Sequence, residues 1–251
     1  MKTILAMLAL VLASAAQAGP VNLVQNGGFE QTTNGNGQID YNTSLSNWSA
    51  PGGYGFVFGA GTADTSGAWS WFQGPNDIPL TLWGANNGGA NALAASANGG
   101  NFIAVDGAYF VVPIQQAVNL IVGQNYTLSF EWAAAQQWGF TGDTTEKWVV
   151  NVGGNTFETA AYANGSHGSS GWMQETFSFT AKASDGLLSF LAAGTPTGHP
   201  PFSLLDGVSL FAVDGPDKDT PAANVAEPAS LLTMLSGLGL LAVALRRRRH
   251  S

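Results

Sequence analysis

Trp69-Ser70-Trp71 sets two indoles on one face of any strand that contains it, because side chains two apart along a strand project to the same side. Trp83, Tyr109 and Trp138 stand in or beside Gly- and Asn-rich stretches. Asn86 and Asn87 lie near Trp83, and Gln136 and Gln137 precede Trp138. A flat aromatic beside an amide is what a sugar ring needs, since the ring offers an apolar C–H face and a rim of hydroxyls. Trp69, Trp71, Trp83, Trp138, Asn87 and Gln137 are therefore the candidate ligand-binding residues. The competing reading is that these tryptophans fill a core, as large aromatics usually do. Phe29, Trp48, Trp132 and Trp148 are assigned to the core directly.

Catalytic chemistry is poorly provided for. His167 lies in the turn Gly165-Ser166-His167-Gly168 and His199 in a Pro-rich stretch, with no HExxH pair and no Gly-x-Ser-x-Gly elbow. Glycoside hydrolysis needs two convergent carboxylates. Asp106, Glu131, Asp143 and Glu146 are available, but their spacing singles out no pair. No catalytic residue is assigned, and a carbohydrate-active hydrolase stays a remote alternative.

Asp206 poses a different question. Period two places it on the side of Val208 and Leu210, so if those face inward the carboxylate does too. An inward carboxylate needs a hydrogen-bonded turn or a cation with oxygen ligands. Between Gly19 and Ala226 the only bases besides histidine are Lys147, Lys182 and Lys218, against fifteen acids. Ion pairing is scarce there, and a structural calcium is one of two open resolutions. The same balance removes nucleic acid as a partner. The chain has no cysteine, which excludes disulfides, a thiol nucleophile and thiolate-ligated metal.

The elements that must position these residues are strands. In Tyr126-Thr127-Leu128-Ser129-Phe130-Glu131-Trp132 one face is aromatic and aliphatic, the other polar. Trp148, Val150 and Val152 share a face, as do Phe177 and Phe179, Leu188 and Phe190, and Val208 and Leu210. Turn clusters such as Asn34-Gly35-Asn36-Gly37, Asn98-Gly99-Gly100-Asn101 and Gly153-Gly154-Asn155 separate the runs. An all-β antiparallel sandwich or jelly roll is expected over residues 19–213, with Asn91–Asn98 a loop or a single helical turn.

The two ends read as addresses. Lys2, the apolar run from Ile4 to Ala15 and Ala16-Gln17-Ala18 form a secretory leader over 1–18, to be cut by signal peptidase. Residues 214–225 read as a flexible acidic linker. An uninterrupted apolar stretch from Leu231 to Leu245 then leads into Arg246, Arg247, Arg248 and Arg249, so a membrane helix is expected over 229–245 with a basic tail over 246–249.

Glu227-Pro228-Ala229-Ser230, the apolar run and the arginine cluster together resemble the PEP-CTERM sorting signal, here over 226–251, although Ala226 replaces its first proline. That resemblance implies an exported bacterial protein processed by an exosortase-type membrane protease. The opening Asn22-Leu23-Val24-Gln25-Asn26-Gly27-Gly28-Phe29-Glu30, with Trp48 behind it, and the closing Leu205-Asp206-Gly207-Val208-Ser209-Leu210 resemble the galactose-binding-domain-like β-sandwiches. These include many carbohydrate-binding modules, and the resemblance implies a calcium site at Glu30 and Asp206. The expected function is a non-enzymatic cell-surface or extracellular-matrix protein, such as a biofilm component, that binds polysaccharide. The alternative is a self-associating structural surface protein.

Overall fold

The computed structural model describes residues 20–70, 79–184 and 186–213. The expected leader (1–18), linker (214–225) and sorting segment (226–251) lie outside them, as does Trp71. Among the described residues no helix is long and apolar enough to cross a membrane.

The fold is all-β. Its strands are β1 (Gly37–Gln38), β2 (Gly55–Phe58), β3 (Phe102–Asp106), β4 (Ile114–Ala117), β5 (Asn125–Gln136), β6 (Thr144–Val152), β7 (Asn155–Glu158), β8 (Tyr162–Asn164), β9 (Met173–Thr180), β10 (Leu187–Thr195) and β11 (Pro201–Val213). A six-stranded sheet runs β1-β2-β3-β11-β5-β9, and a second runs β4-β10-β6-β7 with β8 also on β6. Every pairing between these strands is antiparallel. Asn91–Asn98 forms no helix; a single 3-10 turn occupies Ala85–Asn87 instead.

Alternation builds the layer between the sheets. Tyr126, Leu128, Phe130 and Trp132 of β5 meet Trp148, Val150 and Val152 of β6 and Leu188 and Phe190 of β10. The Trp148 indole donates to the Leu204 carbonyl at 3.1 Å, so its one polar atom is satisfied inside the core. The opening motif is a staple onto this layer. Asn26 holds the turn through Gln31 and Ser46, and Phe29 packs against Trp48 with ring centroids 5.4 Å apart.

A second apolar layer covers the opposite face of the six-stranded sheet. Tyr54, Phe56 and Phe58, Phe102 and Ala104, Ala133 and Ala135, and Phe202 and Leu204 point there, beneath Ala63, Ala68, Leu80 and Leu82 from the long β2–β3 excursion. The middle strands are thus buried on both sides, and their sequences (GFVF, FIAV, FSLL) are correspondingly continuous rather than alternating.

Candidate functional site

A groove of about 420 Å³ opens at the end of the sheet where β3 and β5 finish and β11 begins. Its walls are mostly apolar and come from Tyr54, Tyr109, Phe140 and Pro200, with Gln137, Thr197 and Asp106 supplying polar atoms. The volume falls within the ~300–1,000 Å³ of small-ligand clefts.

The end of β3 shapes this groove. Asp106 follows Ala104 by two residues, so its side chain faces the second apolar layer beside Tyr54. Its Oδ1 accepts the amides of Ala108 (2.8 Å) and Tyr109 (3.1 Å), an aspartate turn that sets the Tyr109 ring edge-on to Tyr54 at 5.3 Å. The other oxygen, Oδ2, has no hydrogen-bond partner, although Asp106 is only 1 % exposed. Burial pushes its pKa up to about 6 against those two amide bonds. Burial also pushes Tyr54 up to about 12, opposed by its hydrogen bond with Ser70. Tyr109 and Phe140 are 47 % and 39 % exposed, so flat rings stand open at the rim.

The aromatics expected from the sequence are distributed differently. Trp69 is 47 % exposed. Trp83 stacks on His167 at 3.9 Å and donates its indole N–H to Phe140 O at 2.9 Å. Trp138, 38 % exposed, lies 6.0 Å from Trp83 and donates to Asn87 O at 3.2 Å. Trp83 and Trp138 therefore buttress the segment that carries Phe140 and Gln137. Asn87 is committed to its own turn: its side-chain oxygen accepts Gly84 N at 2.9 Å and its amide donates to Leu82 O at 2.8 Å. That leaves it little to offer a ligand. Gln137 lines the groove, whereas Gln136 is buried and accepts His167 N at 2.6 Å.

The Glu30–Asp206 expectation needs correction at one point. Asp206 is fully buried, but on the opposite side of the sheet from Val208 and Leu210, because a bulge between Asp206 and Ser209, with Gly207 at φ +59°, reverses the alternation. The carboxylate meets the 96–101 loop. The Ser96 hydroxyl donates to Oδ2, and Asn98 Nδ2 (3.2 Å) and Gly207 N (2.7 Å) donate to Oδ1. Glu30 accepts Asn101 N at 2.8 Å, and Glu131 accepts Ala97 N at 2.9 Å. Three carboxylates thus stitch one loop through N–H and O–H donors. Calcium would need oxygen ligands converging beside these carboxylates, whereas the loop meets them here with hydrogen-bond donors. Among the described residues no three acids or histidines cluster as a metal set.

The remaining acids do not converge. Glu146 lies between the sheets, where burial pushes it up to about 8; Thr144 donates to Oε1 and Oε2 has no partner. Asp106 faces the other side of the six-stranded sheet. Asp143 accepts Ser166 N at 2.9 Å in a surface turn.

No family model and no curated protein matches the chain. Among solved structures, it is similar to TmCBM61, determined with β-1,4-galactotriose, at 17 % identity over 77 % of this chain and 99 % of that one (TM-score 0.35). It is also similar to the CBM22-1 xylan-binding domain of Xyn10C from Paenibacillus barcinonensis, at 14 % identity over 80 % and 99 % (TM-score 0.36). A third likeness, to the arabinose-bound MgGH51 α-L-arabinofuranosidase, has 14 % identity and covers 76 % of this chain but 26 % of the enzyme (TM-score 0.42).

Proposed function

We propose that this is an exported, non-enzymatic glycan-binding module whose binding site is the Tyr54–Tyr109–Phe140 groove. The observation that carries the reading is the pairing of exposed flat rings with polar atoms, from Asp106 and Gln137, at the floor and wall of one cleft. Aromatic faces take the C–H surface of a sugar, and the carboxylate and amide take its hydroxyls. The sequence supports delivery by a leader cut by signal peptidase. Its Glu227-Pro228 motif, apolar run and arginines support processing by an exosortase-type membrane protease, with action in an extracellular polysaccharide layer. The test is retention of the full chain by immobilised polysaccharides in affinity electrophoresis. Binding is expected to fall when Tyr109 or Phe140 becomes Ala, and retention unchanged by both substitutions overturns the assignment.

A structural, self-associating role has its own support at the opposite pole. Val21, Ile121, Val122 and Val213 are all exposed there, brought together by the Asn22–Phe211 bridge and the Gln124–Val213 hydrogen bond. Concentration-dependent oligomers in sedimentation, abolished by Ile121→Ser, would favour that role over glycan binding.

A further inference from the structure

The acid in the groove narrows the ligand. Asp106 is a carboxylate almost wholly withdrawn from water, with Oδ1 consumed by the Ala108 and Tyr109 amides and Oδ2 unpartnered. A buried oxygen without a donor is costly, and more so when charged. Nothing basic within the described residues serves it. Lys147 is paired with Glu158 at 2.6 Å, and Lys182 follows β9 at the far end of the sheet. The titratable groups facing Asp106 are the Tyr54 and Tyr109 hydroxyls. His199, in the tip beside the groove, packs its ring against Gly142 instead.

We propose that the groove recognises a sugar bearing a free, protonated amino group, a hexosamine unit without its acetyl, with Asp106 Oδ2 receiving the ammonium and the Tyr109 and Phe140 rings flanking it. The inference rests on the glycan-binding reading above and names its ligand class. An ammonium supplies both what the orphan oxygen lacks, an N–H donor and a compensating charge, and what an aromatic rim attracts. A uronic acid would set a second carboxylate against Asp106 in an apolar cleft and is excluded by repulsion. The raised pKa of about 6 agrees with a carboxylate that waits for a cation.

The test uses the full chain and three oligosaccharides of equal length: a glucosamine oligomer, its fully N-acetylated form and a glucose oligomer. Titration calorimetry near pH 6.5 should give roughly 10- to 100-fold tighter binding of the free-amine oligomer, the range of one charge-assisted hydrogen bond. Asp106→Asn keeps the Oδ1 acceptor and the shape of the turn. It should erase that preference, so that the free-amine oligomer binds no more tightly than the other two. The preference should also fade below about pH 6, as Asp106 takes up a proton, and at higher pH as the amine loses its own. A preference that survives Asp106→Asn is general attraction to an acidic protein and overturns the proposal. Equal binding of all three by the unaltered chain overturns it as well, while leaving the groove a glycan site. Failure of all three to bind, and of every other glycan offered, removes both readings.

Discussion

Asp206 and Glu131 stand opposite each other across the β5–β11 ladder, two carboxylates on one face of the sheet. Like charges at directly opposed positions are unfavourable. The 96–101 loop resolves the conflict by giving each its own donors, backbone amides to Glu131 and the Ser96 hydroxyl and Asn98 amide to Asp206. Burial, with a smaller push from Glu131, still raises Asp206 to about 7.

Stability should therefore depend on pH in an unusual direction. Asp106, Asp206 and Glu146 bind protons more tightly in the folded chain, at about 6, 7 and 8, than in the unfolded one, near 4. Between those values the native state holds the extra protons, so stability falls as pH rises. We expect the melting temperature to be at least ~5 °C higher at pH 5 than at pH 8, given ~2–4 °C per kcal/mol for a domain of this size. Glu146→Gln should raise it at pH 8 and flatten the profile. A melting temperature that climbs from pH 5 to pH 8 contradicts the buried-acid account.

Chelation gives a second test. Because Glu30 and Asp206 are satisfied by protons of the 96–101 loop, EDTA should leave the thermal transition where it was. A clear drop, restored by calcium, would show that the loop rearranges to offer oxygens instead.

The two sets of aromatics should separate in binding assays. Tyr109→Ala removes a ring that stands open at the groove and should weaken glycan binding about 10-fold or more, the scale of a buried anchor. Trp69→Ala should leave affinity unchanged. Trp138→Ala loses an indole hydrogen-bonded to Asn87 O and should lower stability more than affinity. The reverse ranking would restore the tryptophans as the sugar platform.

The opening motif makes a fourth prediction. A Cβ on Gly27 would collide with the Val208 carbonyl, which closes the strand-end contact where Val208 N donates to Gly27 O at 3.0 Å. Gly27→Ala should cost about 1–3 kcal/mol in urea unfolding, typical of a forced shift in a packed site. Gly165→Ala, whose Cβ would meet open space, should be close to neutral.

Much of the sandwich was legible in the chain. The alternation of Tyr126 to Trp132 and of Trp148 to Val152 marks the layer between the sheets, and Phe29, Trp48, Trp132 and Trp148 are core as their patterns indicate. The second apolar layer left a subtler trace. Phe102-Ile103-Ala104-Val105 does not alternate, which is how a strand buried on both faces reads. Asp206 takes the side that strand period does not foretell, because a left-handed Gly207 and an extra residue reset the alternation there. The groove could not be read from spacing, since Tyr54, Asp106, Gln137 and Thr197 come from four separated segments that meet only once the sheet is assembled.

β11 carries a mechanical corollary. Its thirteen residues reach about 40 Å, from Pro201 beside the groove to Val213 at the other pole, paired with β5 along nearly all of that length and with β3 over Phe202–Leu205. Tension entering from residue 214 would pull along this ribbon, loading its ladders in shear, where many bonds must yield together, and not peeling them one at a time. The edge of the groove would keep its shape until the whole strand slid.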